Sequence, residues 1–400
     1  MEQTLSRRQL LGGTAAALAS GTGGCLSTLP PLGQRIRYGR INVPSSGPPT
    51  YRRWVPADSA RPDADTAAPD EVMYGHPGPT GREDLGRSIR FTQPFHVGWS
   101  DYVGIEYTTY DEALLNGAGF VGETTVDRDD VASTLAQTGY ERTDTYDGYT
   151  LYTRSDIPRA LAVGDAAVVQ ASSDTVADAR AHVEATVDAE AGRAERRHQA
   201  DPAFKRLSDL TGARPFTWLG ASGIELGDPV IGASSATFDD DAIYYVWDEL
   251  YASADATPSR SEVKQWLEDQ QRPQSAMLTD IETDGAALTV EMRLPGEEFE
   301  ARTNNEPSPY VTWGVDHDAE AGRLTFRHEA GDAVDIEALT LRPEGGYRGS
   351  PPFEGSGSFG PGDGVTVELT DDPANRYQIV WGPTDGGTST LVQYDLGGNE

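Results

Sequence analysis

The sequence has little cysteine, little basic charge and no long apolar run in its body. Cys25 is the only cysteine among 400 residues, so no internal disulfide can form. No stretch beyond it is apolar enough to span a bilayer core of ~30 Å, which argues against a transmembrane helix. Acidic residues number 64 against 32 basic ones, and no basic stripe interrupts them. We therefore expect no nucleic-acid binding.

The charge that is present is strongly acidic, and its basic component is almost all arginine. The net charge is -32, and only Lys205 and Lys264 are lysines. Such self-repulsion is severe in dilute buffer, but at 1 M salt it is screened within ~3 Å. High salt is therefore the expected solvent. The bias towards aspartate and arginine resembles that of proteins from halophilic archaea.

The amino-terminal residues have the pattern of an export signal followed by a lipidation site. Arg7 and Arg8 precede a short apolar run, and the pair resembles a twin-arginine signal. Gly23-Gly24-Cys25 comes directly after that run and looks like a lipobox, although a stray cysteine is the alternative. A two-chain lipid on Cys25 would anchor the protein stably, because each buried CH₂ contributes ~0.8 kcal/mol. We therefore predict an extracytoplasmic protein held to the cell membrane by this lipid.

The length exceeds that of one ordinary domain of ~100–150 residues, so several units are expected. Many prolines between Pro44 and Thr80 argue against helix there. Two aromatic pieces in that region, 35–38 and 51–55, could still add a strand or dock on the body. We predict a signal and lipobox over 1–25, a Pro-rich tether over 26–84, a duplicated α+β domain over 85–300 and a β-sandwich domain over 308–400.

The predicted α+β domain shows one order of elements twice. The first round has strands at 95–99 and 120–126, a helix capped by Asp129 or Asp130, a strand at 149–153 and a hairpin over 161–171. Helices capped by Asp174 and opened by Asp201-Pro202 follow. The second round has strands at 216–219, 234–238 and 242–247, a helix with a Ser259–Glu262 capping box and a hairpin turning at Asp284-Gly285. This predicts an α+β fold made of a duplicated β-β-α-β-β domain with mostly antiparallel sheets.

Beyond about Pro307 the helical periodicity disappears. Short strands separated by Gly, Asp and Pro continue to the end of the chain. This pattern is typical of sandwiches. We predict a small all-β, immunoglobulin-like sandwich there.

Two stretches resemble known groups of proteins. The stretch 140–220, with Asp147-Gly148-Tyr149-Thr150-Leu151-Tyr152 and the helix through Ala191-Gly192, is similar to uncharacterised haloarchaeal twin-arginine lipoproteins and, more distantly, to a bacterial envelope family of unknown function. The tail, with Leu324 to Asp332 and Phe359-Gly360-Pro361-Gly362-Asp363, looks like the β-sandwich of archaeal pilin-like surface proteins, although no hydrophobic pilin helix begins this chain. The resemblance implies an envelope protein and carries over no catalytic residue.

Three motifs could serve as chemical sites. The run 117–122 matches the dinucleotide fingerprint in its letters, but a helix-like Asp111 to Leu115 precedes it and a strand follows, which is the wrong order for binding a pyrophosphate. Asp316-His317-Asp318 is the densest metal candidate, with a solvated turn as the alternative. Acidic runs such as Asp239-Asp240-Asp241 are expected on any face of so acidic a chain. We assign no catalytic residue, no metal ligand and no cofactor.

The leading functional hypothesis is a non-catalytic cell-surface lipoprotein with a binding or structural role, with the membrane as its partner and an envelope protein as a further candidate. An extracytoplasmic hydrolase with a metal or carboxylate site is the alternative, and convergent acidic or histidine side chains in one pocket would favour it. A solute-binding lipoprotein of a transporter ranks third, because that class has parallel sheets and paired hairpins dominate here.

Overall fold

A single large sheet runs through the computed structural model. Thirteen strands follow one another in the order β1-β12-β13-β11-β10-β9-β2-β3-β4-β8-β7-β6-β5. Every pairing in it is antiparallel except that of β1 with β12. With five α-helices beside it among the described residues, the chain has the predicted α+β class. The structure describes residues 36–61, 71–77, 100–117, 119–220, 226–239, 241–269, 278–296, 308–343, 353, 356–370, 373–382 and 388–396.

The strands of the large sheet come from the whole span between residues 37 and 295. They are β1 Arg37–Tyr38, β2 Val72–Gly75, β3 Glu112–Asn116, β4 Gly119–Glu123, β5 Glu141–Tyr146, β6 Tyr149–Arg154, β7 Arg159–Val163, β8 Ala167–Ser172, β9 Phe216–Leu219, β10 Ile231–Phe238, β11 Ala242–Leu250, β12 Leu278–Asp284 and β13 Ala287–Pro295. The predicted strand at 95–99 lies outside the described residues.

The C-terminal domain, which we define as residues 308–396, contains short antiparallel sheets. Two have three strands, in the orders β14-β15-β19 and β17-β20-β21, and one has two, β16-β18. The bounds are β14 Val311–Asp318, β15 Arg323–Gly331, β16 Val334–Asp335, β17 Leu339–Pro343, β18 Ser358–Phe359, β19 Gly364–Glu368, β20 Arg376–Trp381 and β21 Ser389–Asp395.

Most of the described helices begin after a short polar side chain that caps them. They are α1 Arg128–Leu135, α2 Val176–Glu190, α3 Arg197–Ala200, α4 Pro202–Thr211 and α5 Arg260–Asp269. Asp201 caps α4 and Pro202 opens it, as predicted. Ser259 and Glu262 exchange the bonds of a capping box at α5, also as predicted.

Other predicted end points were off by a few residues. Asp127, and not Asp129 or Asp130, caps α1, since its carboxylate accepts hydrogen bonds from the backbone amides of Asp129 and Asp130. Thr175, and not Asp174, caps α2. The turn between β12 and β13 is Gly285-Ala286. In α4, Phe204, Leu207, Ser208 and Thr211 are buried, whereas Leu210 is 41% exposed.

Each face of the large sheet is covered by different elements. On one face, Leu151 and Leu219 pack against Val183 of α2 and Phe204 of α4. On the other face, Phe120 packs with residues of α1 and of the C-terminal domain. Trp247 on this second face packs with Val263 of α5. The C-terminal domain therefore shares a hydrophobic core with the sheet.

The described residues in the range predicted as a tether pack on the body, which is the alternative left open for its two aromatic pieces. Residues 36–61, which we call the strap, cross the α2 face of the sheet, where Tyr51 and Trp54 are buried. Strand β2 lies in the middle of the large sheet, so the α+β domain starts before residue 85. The prolines exclude long helices, but the aromatic and β-branched residues between them bury enough apolar surface to hold the segment in place. The other residues of the 26–84 range lie outside the described part.

The strap is also held by polar contacts. Arg53 and the Trp54 indole both donate to Glu123 of β4, and the Asn116 side chain donates to the Trp54 carbonyl over 2.6 Å. Arg52 forms an ion pair of 2.7 Å with Asp209 of α4. The strap therefore connects β4, in one half of the large sheet, with α4, which packs on β9, β10 and β11 in the other half.

Replacing Trp54 by alanine should strongly destabilise the protein, because a large buried side chain is lost from the strap. We expect the free energy of unfolding to fall by about 3–5 kcal/mol. Urea unfolding in high-salt buffer measures it. Leu210→Ala, at the exposed position of α4, is the control and should change it by less than about 0.5 kcal/mol. Equal small effects would mean that the strap does not pack on the sheet.

Candidate functional site

A polar groove lies where the end of β6 meets the C-terminal domain. Its volume is about 280 Å³. Carboxylates of both units and one guanidinium lie along it, together with two glycines. The lining residues are Gly139, Ser155, Asp156, Gly314, Val315, Asp316, Arg327 and Glu329.

Arg154, the last residue of β6, lies behind the floor of the groove with a side chain that is 0% exposed. Its Nε and Nη2 donate to the two oxygens of Asp156 over 2.9 and 2.6 Å. Nη2 also lies 3.2 Å from Glu329 Oε2, and Nη1 lies 3.8 Å from Asp101 Oδ2. The guanidinium stands over the Tyr140 ring, 5.2 Å from its centre. One buried cation thus gathers three carboxylates.

Asp101 is the deepest of these acids, with a relative exposure of 1%. It forms an ion pair with Arg159 and accepts the Tyr140 hydroxyl over 2.8 Å. The Gln170 side chain bonds both the backbone amide and the carbonyl of Asp101. Since a buried charge is tolerated only when it is paired, these contacts fix Asp101 in place.

Two hydrogen bonds cross from the large sheet to the C-terminal domain at the groove. The Gly139 amide donates to Glu329 Oε2 over 3.1 Å, and the Val315 amide donates to Asp156 Oδ2 over 3.0 Å. Gly314 makes the approach possible, because a Cβ there would lie 2.2 Å from Glu329 Oε1. The floor therefore belongs to both units.

Asp156 and Glu329, the two carboxylates at the floor of the groove, have pKa values shifted in opposite directions. Burial alone would raise the pKa of Asp156, but the bonds from Arg154 outweigh it and lower that pKa. Burial raises the pKa of Glu329 more than Arg154 and the Gly139 amide lower it. Burial would lower the pKa of Arg154, but its bonds with Asp156 and its attraction to Asp101 raise it. Arg154 therefore stays charged, whereas Glu329 takes up a proton more readily than an exposed glutamate does.

The rim of the groove is more exposed. Arg327 and Asp316 form an ion pair of 2.9 Å, and their side chains are 57% and 60% exposed. Such a pair contributes less than about 1 kcal/mol and is easily exchanged for a ligand. The groove therefore offers a fixed floor and an adaptable rim.

Of the motifs identified in the sequence, Asp316 lines the groove, whereas the others lie elsewhere or form turns. The stretch predicted as helix-like, 111–115, lies almost entirely in strand β3, and in the fingerprint run Gly117 follows β3 while 119–122 lie in β4. Asp316 and Asp318 pair with Arg327 and Arg323, and the ring of His317 lies against that of Tyr394. Asp239 lies between β10 and β11, where its carboxylate accepts hydrogen bonds from the backbone amides of Asp241 and Ala242.

Within the part of the chain that the structure describes, no group of three or more His, Cys, Asp or Glu side chains is placed to hold a metal ion. No helix there is long and apolar enough to cross a membrane. Arg7, Arg8 and Cys25 lie outside the described residues.

Sequence reasoning missed the Arg154 cluster. One signal was present, because the alternation of β6 places Arg154 on the same inward side as Tyr152. Its partners Asp101 and Glu329 come from distant parts of the chain, and no local pattern connects them.

Comparisons with known proteins identify no family for this chain. No family model and no curated protein matches the sequence. Among solved structures, crystal form III of TP0453 is similar with a TM-score of 0.37 and 12% identity, covering 62% of this chain and 96% of that one. Crystal form IV of TP0453 gives a TM-score of 0.36 with 11% identity and coverages of 64% and 96%. These values assign no family and transfer no function.

Arg154→Met should be among the most harmful single changes, because it leaves buried carboxylates without their cation. We expect the free energy of unfolding to fall by about 3–5 kcal/mol. Arg327→Met, the same change in the exposed rim pair, should lower it by less than about 1 kcal/mol. Urea unfolding of both variants measures this contrast, and similar losses would contradict the assigned role of Arg154.

The raised pKa of Glu329 predicts a pH dependence of definite sign. As the pH falls from neutral towards ~4.3, the usual glutamate value, the folded state binds the proton before the unfolded chain does. The wild type should therefore gain stability relative to Glu329→Gln over that window. The difference between their unfolding free energies, measured against pH, tests this. Glu320→Gln, at an exposed turn, is the control, and a flat or opposite trend for Glu329→Gln would refute the prediction.

Proposed function

We propose that this chain is a non-catalytic, lipid-anchored envelope protein of a halophilic archaeon, exported through Arg7 and Arg8 and anchored through Cys25. The observation that carries the proposal is the single cysteine placed directly after Gly23-Gly24 at the end of an export signal. Its partners are the membrane and an envelope ligand or protein, and nucleic acid is not expected.

The groove is the proposed ligand site. Binding suits it better than catalysis, because Asp156 already accepts from Arg154 and Val315 and has a lowered pKa. Among the described residues no hydrogen bond is made to Glu329 Oε1, which remains available to a ligand. The polar lining favours a hydrophilic ligand.

A second candidate function, a carboxylate-dependent hydrolase, is favoured by one observation. Asp156 Oδ2 and Glu329 Oε2 lie 2.6 and 3.2 Å from the same Arg154 nitrogen, so they are within ~6 Å of each other, as in acid pairs that cleave glycosides. Their opposite pKa shifts suit an acid and a base.

The finer fold hypotheses also remain proposals. The spatial order β9-β10-β11-β13-β12 repeats the order β2-β3-β4-β8-β7, with α5 and α1 at corresponding places in the chain. This supports a duplicated domain in which β5 and β6 are an addition to the first copy. The two three-stranded sheets of the C-terminal domain support an immunoglobulin-like sandwich.

Cys25→Ser should release the protein from the membrane, because the thiol that carries the lipid is lost. Replacing both Arg7 and Arg8 by lysine should instead keep it inside the cell. Fractionation of the halophilic host and mass spectrometry of the amino terminus measure both effects. An intact precursor with an unmodified thiol in the cytosol would overturn the proposal.

Screening hydrophilic compounds against the intact protein separates binding from hydrolysis. Under the binding hypothesis, a compound stabilises the wild type against unfolding and is recovered unchanged, and Glu329→Gln weakens this effect. Recovery of a cleaved compound from the wild type but not from Glu329→Gln would favour the hydrolase. Arg323→Gln, outside the groove, is the control.

A further inference from the structure

The first described residues lie at one edge of the large sheet. Strand β1 pairs only with β12, through Arg37 with Leu278 and Tyr38 with Thr279. The ammonium of Lys264 in α5 stands 4.4 Å from the centre of the Tyr38 ring. The strap then continues across the sheet, so the chain is fixed to the body from this edge onwards.

The length of chain before this edge limits where an anchor could hold it. Cys25 and Ile36 are separated by eleven residue steps, which span at most ~40 Å even when fully extended. The groove lies at the end of β6, with ten strands between β6 and β1. At ~4.8 Å for each strand spacing, this is ~53 Å measured along the sheet. Tyr152, whose side of β6 Arg154 shares, lies on the face of the sheet that α5 also covers, so the groove and α5 are separated along the sheet and not by its two faces.

The charge of this end differs from that of the rest of the chain. No aspartate or glutamate occurs between residues 26 and 57, where five arginines are found. Arg52 and Arg53 are engaged with Asp209 and Glu123, whereas Arg37 and Arg40 are exposed. An anionic membrane surface attracts arginines and repels acidic residues. Arg37 and Arg40 are therefore suited to contact lipid headgroups directly, as the ~3 Å range of charge at 1 M salt requires, whereas α5 beside them also exposes Glu262 and Glu268.

We propose that the β1 edge, with α5 beside it, lies next to the membrane surface and that the groove lies at the far end of the sheet from it. This inference rests on the proposed lipid on Cys25. It follows that the ligand of the groove comes from the outer side, as a soluble molecule or a neighbouring envelope component, and not from the bilayer.

The test uses full-length protein from the host, reconstituted in vesicles that contain anionic lipids and headgroups labelled with an energy acceptor. A donor dye is placed on Ser261→Cys in α5 or on Thr145→Cys in β5, both exposed. Transfer from position 261 should be several-fold stronger than from position 145, and the difference should vanish in detergent. Equal or reversed transfer in vesicles would overturn the orientation while leaving the anchor intact.

Cys25 itself separates the two proposals. A lipidated Cys25 cannot react with the dye, so the wild type should remain unlabelled, and a labelled wild type would overturn both the anchor and the orientation. Replacing Arg37 and Arg40 by glutamate should lower the transfer from position 261. The same change at Arg323 and Arg327, in the C-terminal domain, should not, and equal effects would refute the role given to the arginines near the anchor.

Discussion

The burial of one guanidinium constrains how the two units of this protein meet. Moving a charge out of water costs several kcal/mol, and the cost is offset only when carboxylates and hydrogen bonds surround the charge in good geometry. Arg154 meets this requirement with Asp156 from its own strand end, Asp101 from the segment before β3 and Glu329 from the C-terminal domain. The position of that domain is fixed by the need to bring Glu329 there. Hydrophobic contacts alone would not determine this register, because they have no preferred direction.

The strap solves a comparable problem on the other face of the sheet. Among the described residues, the two halves of the thirteen-stranded sheet meet at the pairing of β2 with β9. A segment that is bonded to Glu123 in one half and to Asp209 beside the other half adds a second connection. Its prolines suit this role, because a segment that cannot form a long helix or a central strand can run over a surface and fill it with aromatic side chains.

Local chemistry was readable from the sequence, and long-range placement was not. The helix at Asp201-Pro202 and the capping box at Ser259 and Glu262 depend on residues only a few positions apart, so their patterns identify them. Strand β5 has an almost fully exposed pattern and shows no apolar alternation, since its side chains lie at a sheet edge. The bond from Gly139 to Glu329 joins residues 190 positions apart. No spacing rule can indicate such a contact, and therefore the floor of the groove could not be foreseen.

High salt changes which of these interactions matter. At 1 M salt, charges are screened within ~3 Å, so exposed pairs such as Asp316 with Arg327 contribute little. Arg154 and Asp101 are buried, so the attraction between them is screened far less than that of exposed pairs. A protein with a net charge of -32 therefore depends on salt to screen the repulsion between its surface charges. Its fold depends on buried ion pairs and apolar contacts. Lowering the salt strengthens the repulsion between its exposed acids far more than the attraction inside the cluster, because salt screens exposed charges much more than buried ones.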